Sequence, residues 1–159
     1  MTKKTIRNKI NLEFKISDLK FKHLNDIIKI ETSAYGEDHW NRDVFYSELD
    51  RKNSYNKVVL NNKNKAVAFL ISSYLFEEAE LLSIAVLKEY RGQGLSKLLI
   101  EDFIRHSKFN GIEKIFLEVK ETNKVAKSLY KRFNFKVISQ RKNYYSDGTN
   151  ADIMVWELA

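Results

Sequence analysis

Ser83-Ile84-Ala85-Val86 is followed, after a short break, by Tyr90-Arg91-Gly92-Gln93-Gly94-Leu95-Ser96-Lys97. An apolar, strand-like stretch ends and a loop with two glycines follows. Leu95, Leu98, Leu99, Phe103 and Ile104 then recur at helical spacing, up to Phe109 and Gly111. A strand, a glycine loop and a helix N-terminus in that order present several backbone N–H groups and the positive end of a helix dipole, which together suit a pyrophosphate. Glycine removes the Cβ that would keep phosphate oxygens off the backbone, and Arg91 and Lys97 add positive charge. A dinucleotide fingerprint would need a third glycine where Lys97 stands, and a Walker loop would need a Gly-Lys-Ser/Thr ending. Taken alone, the segment also reads as an ordinary strand–helix turn.

Working outward, Leu12, Phe14 and Ile16 alternate as in a short strand, and Ser17-Asp18 offers an N-cap to a helix with Leu19, Leu24, Ile27 and Ile28 on one face. Gly36–Asn41 reads as a loop and Arg42–Leu49 as a second helix. Lys57–Leu60 and Ala66–Tyr74 form a hairpin around Asn61-Asn62-Lys63-Asn64. Glu80–Val86 and Lys114–Val119 are strands on either side of the Gly94–Phe109 helix. Asn123–Phe133 is a further helix, and Lys136–Gln140 and Ala151–Leu158 are closing strands. A β-α-β-α-β centre implies a parallel crossover and the flanking hairpins imply antiparallel strands, so the fold class is α/β (α+β), with a mixed sheet covered by helices.

The 159 residues amount to one domain, expected over 11–159 behind a flexible arm over 1–10. With 43% hydrophobic and 31% charged residues, the composition is globular. No cysteine is present, which excludes disulfides, thiolate metal sites and a cysteine nucleophile; His23, His39 and His106 lie far apart, and no metal site is expected. No apolar run approaches the ~18 residues of a membrane span, and residues 1–10 lack the apolar centre of a secretory signal, so a cytoplasmic location is expected. The net charge of +7 points to acidic partners such as a phosphorylated cofactor or a ribonucleoprotein surface, but the lysines are spread along the chain as on a solvated surface.

Three further features carry chemistry. Glu118 interrupts the apolar strand Ile115-Phe116-Leu117-Glu118-Val119 near the end where open α/β sheets bind ligands. A carboxylate desolvated there would have a raised pKa and could accept a proton near neutrality; a salt-bridged strand-end carboxylate is the alternative. Asn123 is a good N-cap for the following helix. Tyr130, next to the core position Leu129, either packs or gives a proton to a leaving thiolate.

Together, over residues 11–158, these segments resemble the GCN5-related N-acetyltransferase (GNAT) superfamily. Its coenzyme-A loop, Gln/Arg-x-x-Gly-x-Gly/Ala, is matched by Arg91-Gly92-Gln93-Gly94-Leu95-Ser96, with Ser at the last position. Within the superfamily the RimI type, the ribosomal-protein-alanine N-acetyltransferases, is the nearest pattern. It is carried by Trp40 and Phe45, Glu78 to Val86, Leu117-Glu118-Val119, Asn123, Leu129-Tyr130, and Arg141-Lys142-Asn143-Tyr144-Tyr145 followed by Asp147-Gly148. The usual proline before the tryptophan is His39, and Leu-Gly-Phe is replaced by Phe133-Asn134-Phe135, where Asn tolerates the left-handed conformation that Gly would adopt.

The resemblance implies a GNAT fold with about seven strands and about four helices, and direct transfer from acetyl-CoA to an amine without an acyl-enzyme. It implies that Ile84, Ala85 and Val86 bind the pantetheine arm and that Arg91, Gly92, Gln93, Gly94, Leu95, Ser96 and Lys97 bind the pyrophosphate, with Asn123 also on the cofactor. Glu118 matches the general base and Tyr130 the general acid, while Tyr144 and Tyr145 match a loop over the substrate's N-terminus. A protein N-terminus, such as that of a ribosomal protein, is the expected acceptor. A small amine or a lysine side chain is the alternative, and a non-enzymatic RNA-binding or acyl-CoA-binding module a third. A monomer or weak dimer is expected, without membrane or direct nucleic-acid contact.

Overall fold

The computed structural model describes residues 2–5 and 13–159. The expected arm falls largely outside these residues, as does Leu12. From residue 15 onward the chain runs β1 (Lys15–Asp18), α1 (Leu24–Tyr35), α2 (Arg42–Asp50), β2 (Lys57–Leu60), β3 (Ala66–Leu75), β4 (Glu78–Val86), α3 (Leu95–Phe109), β5 (Lys114–Lys120), α4 (Lys124–Arg132), β6 (Lys136–Arg141) and β7 (Ala151–Glu157).

The seven strands form one sheet in the order β1-β2-β3-β4-β5-β7-β6. β4 and β5 are parallel, joined by the crossover through α3, and the other neighbours are antiparallel. β7 enters between β5 and β6, so those two strands never pair. The reason is burial: β7 is apolar and almost wholly covered, whereas every residue of β6 is exposed and belongs at an edge.

Helices cover both faces. Leu95, Leu99, Ile100 and Phe103 of α3 pack on one face with Phe135 and Trp156. Leu24, Ile27 and Ile30 of α1 and Phe45 of α2 pack on the other, against Phe69 and Ile71 of β3. β3 is therefore buried without alternation from Ala66 to Ser72, as a strand covered on both faces should be.

Ser17 and Asp18 do not cap a helix. They pair with Val58 and Lys57 in β1, where the Lys57 ammonium lies 2.5 Å from Asp18, and α1 begins only at Leu24 after a turn of 3₁₀ helix at Phe21–His23. Asn134 takes the left-handed conformation expected of it, with φ +68°.

Two irregularities shape the middle of the sheet. Ile71 pairs with Ser83 but Ser72 with Leu81, which leaves Leu82 as an extra residue in β4. The pairing of β4 with β5 stops at Leu81 opposite Leu117, although both strands continue. A bulge bends its strand and increases the local twist. β4 thus turns away from β5 and a cleft opens between them.

Candidate functional site

The cleft is lined first by backbone. Leu87 N–H donates to the Val67 carbonyl at 2.8 Å, and the antiparallel register runs back from there through Val86 opposite Ala68 and Ala85 opposite Phe69. Hydrogen-bonded and non-bonded pairs alternate in such a ladder, so the peptide groups of Ile84 and Val86 point away from β3, toward the cleft. The Ile84 carbonyl accepts the Tyr35 hydroxyl at 2.5 Å and the Val86 carbonyl accepts Arg91 Nε at 3.1 Å. Ile84, Ala85 and Val86 are themselves buried.

At the end of β4 the chain makes a short turn, Lys88–Tyr90, and enters the glycine loop. Gly92 has φ +77° and Gly94 φ +81°, a region where a side chain is strained. α3 then begins with no side-chain cap and no acidic residue in its first turn. An uncapped N-terminus of a 15-residue helix, reached through two left-handed glycines, fits an anionic ligand such as a pyrophosphate. Leu95 is buried and holds the helix to the core, while Arg91, Gln93 and Lys97 are exposed and Ser96 half-buried at the rim.

Across the cleft, Glu118 on β5 is neither alone nor fully desolvated. Arg141 Nε lies 2.9 Å from its carboxylate, and the Glu118 side chain keeps 21% exposure. The ion-paired alternative therefore describes its resting state. Residue 118 lies beyond the last β4–β5 pair and opens into the cleft, where Arg141 reaches it from the edge strand β6. Glu80 is close by: burial, and then the negative charge of Glu118, raise its carboxyl above the usual range.

Asn123 caps α4, its side-chain oxygen accepting Ala126 N–H at 3.1 Å. Tyr130 is buried on α4, with its ring 5.7 Å from that of Phe135. Burial and the neighbouring Tyr145 push its hydroxyl well up, and among the described residues no hydrogen bond offsets this. Tyr144 and Tyr145 meet edge-to-face at 5.1 Å. Burial raises Tyr145 to about 12, with Tyr144 and Glu118 adding to the shift. Tyr144 is raised as well, by burial and by the Glu118 carboxylate. The β6–β7 loop bearing both rings is tied to the segment between α1 and α2: Asp38 accepts Ser146 N–H at 3.0 Å and the Ser146 hydroxyl at 3.1 Å.

Tyr130, Tyr145, Tyr144 and Glu118 thus lie near enough to act on one another's hydroxyls in sequence, and Tyr35, which feels Tyr130 and Tyr145, bonds the Ile84 carbonyl; the glycine loop follows the end of β4, and Asn123 is committed to its helix cap. Sequence reasoning missed Glu31, Tyr35, Asp38, Glu80 and Arg141. For the first two a signal exists: Leu24, Ile27, Glu31 and Tyr35 recur on one helical stripe, so Glu31 and Tyr35 face the sheet. Among the described residues no group of His, Asp or Glu is placed to hold a metal, and no helix is long and apolar enough to cross a membrane.

The chain is similar to the ribosomal protein bS18-alanine N-acetyltransferase of Escherichia coli K12, at 32% identity over 142 residues, spanning 88% of this chain and 94% of the relative. An N-alpha-acetyltransferase of Sulfolobus acidocaldarius is 28% identical over 168 residues, covering 96% of each chain. Among solved structures, the ribosomal-protein-S18-alanine N-acetyltransferase from Escherichia coli superposes with a TM-score of 0.84 at 30% identity, covering 92% of this chain and 94% of the other. Residues 23–135, from the start of α1 past the glycine loop to the end of α4, match the acetyltransferase (GNAT) family, and to that family the chain belongs.

Proposed function

We propose that the protein transfers an acetyl group from acetyl-CoA to the N-terminal α-amino group of a protein, with a ribosomal protein as the client. The observation that supports this reading is that β4 and β5 stop pairing at Leu81 opposite Leu117, so that Glu118 on β5 and the Ile84 peptide on β4 lie past the last pair, beside a tyrosine loop tethered by Asp38. The relatives named as ribosomal protein bS18-alanine N-acetyltransferases, matched over 88% and 92% of this chain, support it. The uncapped start of α3 and the left-handed Gly92 and Gly94 would hold the cofactor's phosphates, and the buried edge at Ile84, Ala85 and Val86 its pantetheine arm. Acetyl-CoA supplies an acyl group on a thiol leaving group.

The chain's own residues move the protons. Glu118 takes one from the incoming ammonium. The free amine then forms the C–N bond as the C–S bond breaks; Tyr130 gives its proton to the departing sulfur and regains one from the newly acylated nitrogen, and with its hydroxyl pushed up by burial it stays protonated across the physiological range. An α-amino group, with a reference pKa of about 7.7–8.0, yields its proton more readily than a lysine at about 10.4, which favours a peptide N-terminus. Tyr144 and Tyr145 cover the acceptor and exclude water. The reading carries a cytoplasmic location and a monomeric or weakly dimeric protein. Its test is a panel of peptide N-termini, small amines and lysine peptides supplied with acetyl-CoA, joined to intact-mass analysis of ribosomal proteins from a strain lacking the gene. A peptide N-terminus acetylated in preference to the rest, and a ribosomal protein lighter by one acetyl group in the deletion strain, are expected. Preference for a free amine would overturn the reading.

A further inference from the structure

We propose that Glu31 and Tyr35 are positioning residues through which α1 sets the donor edge of β4; the proposal rests on the reading of that edge as the acyl site. The two residues stand four apart on α1 and share a face. Each holds one of two consecutive residues of β4, immediately after the bulge. Glu31 Oε2 accepts the Ser83 hydroxyl at 2.7 Å, and the Tyr35 hydroxyl donates to the Ile84 carbonyl at 2.5 Å. The second oxygen of Glu31 accepts Trp40 N–H at 3.3 Å, which fixes the end of the α1–α2 segment in the same network.

Packing alone does not account for Glu31. It is 2% exposed, and among the described residues neutral donors, not a lysine or arginine, bond its carboxylate. A carboxylate buried in that way is costly, and an apolar side chain would fill the space at less expense. What the network fixes is the polarity of the cleft edge. Tyr35 occupies the Ile84 carbonyl and Arg91 the Val86 carbonyl, so the groups turned to the cleft at these two residues are their N–H donors. Preorganised N–H donors with no competing acceptor suit an acyl oxygen on which negative charge develops. Without the Tyr35 hydroxyl, the Ile84 carbonyl would face the same opening and repel that oxygen.

The decisive variant is Tyr35→Phe in the full chain, which keeps the ring. The expected result is a kcat lower by about tenfold with the peptide KM within about twofold, since the lost interaction acts on developing charge. Calorimetry should show acetyl-CoA binding weakened about fivefold and CoA, which lacks the acyl oxygen, by less than about twofold, with the melting temperature lowered by only a few degrees for the lost bond to the Ile84 carbonyl. Glu31→Gln can still accept from Trp40 and donate to Ser83, so it should keep kcat within about threefold, whereas Glu31→Ala should lose about tenfold. Wild-type kcat and an unchanged acetyl-CoA/CoA affinity ratio in Tyr35→Phe would overturn the proposal. So would equal loss of affinity for both cofactors. If the wild type acetylates no peptide, the reading of the substrate fails, and the affinity ratio still decides the role of Tyr35.

Discussion

Replacing Tyr130 by Phe separates proton donation from packing. The ring is buried against Phe135, and Phe keeps that contact. The hydroxyl has no hydrogen-bond partner among the described residues that would offset its burial, so the fold loses no bond with it. A neutral hydrogen bond contributes about 1 kcal/mol, and the change in stability should therefore stay below that figure. For a domain of this size that amounts to a melting temperature within about 3 °C of wild type. If the hydroxyl protonates the leaving sulfur, kcat should fall by about 10–10³-fold, the lower part of the general acid range, because a thiol leaves without much help. That loss corresponds to about 1.4–4 kcal/mol of barrier. The assay is the initial rate of free-thiol release at saturating acetyl-CoA and peptide, read beside the melting curve. Burial raises the hydroxyl, so it remains a donor at every working pH and adds no alkaline limb to the wild-type profile below about pH 10. Wild-type turnover in Tyr130→Phe, or a loss matched by unfolding, would refute the acid role.

Three other outcomes follow from the same geometry. Gly94→Glu places a side chain at φ +81° and a negative charge at the uncapped start of α3, so acetyl-CoA binding measured by calorimetry should be abolished. Glu118→Gln should lower kcat by about 10²–10⁴-fold with little change in cofactor affinity; normal turnover from pH 6 to 9 would leave Glu118 only its ion pair with Arg141. Burial holds the Glu31 carboxyl above its ordinary value against the opposing bonds from Ser83 and Trp40. Its contribution to stability is therefore full below the unfolded value of about 4.3 and lost as pH rises through the raised native one. Glu31→Gln, which does not titrate, should melt at or above wild type at pH 7–8, with the gap closing toward pH 4; the reverse order would refute the assignment.

Local chemistry made part of this legible. Gly92 and Gly94 could be read because a strand running into a helix through two left-handed positions needs glycine there, and Asn134 because it alone among its neighbours accepts such a φ. Asn123 could be read as a cap because the cap lies within one turn of its target. What stayed hidden depends on partners distant in sequence. Arg141 meets Glu118 from another strand, so a carboxylate that looked isolated in an apolar run proves to be paired. The insertion of β7 between β5 and β6 follows from which strand is apolar on both faces, a comparison between strands rather than a pattern within one. Ser17 and Asp18 misled because short polar residues serve equally at a helix cap and on a strand beside a lysine.

The deepest reason lies in one residue. Leu82 carries no mark of a bulge, being neither glycine nor proline, yet its extra place in β4 bends the strand away from β5. Parting the strands leaves the Ile84 and Val86 peptide groups without a strand to pair with. A buried carbonyl in that position must find a donor, and it finds one in a side chain: the Tyr35 hydroxyl for Ile84 and the Arg91 guanidinium for Val86. Each of those residues belongs to an element with another task, Tyr35 to the helix that covers the sheet and Arg91 to the loop that opens α3. The bulge, the helix stripe and the glycine loop are thus coupled through two carbonyl oxygens. A substitution that straightened β4 would disturb the Ile84–Val86 edge, the glycine loop and the end of α1 together, although neither Glu118 nor Tyr130 had been touched.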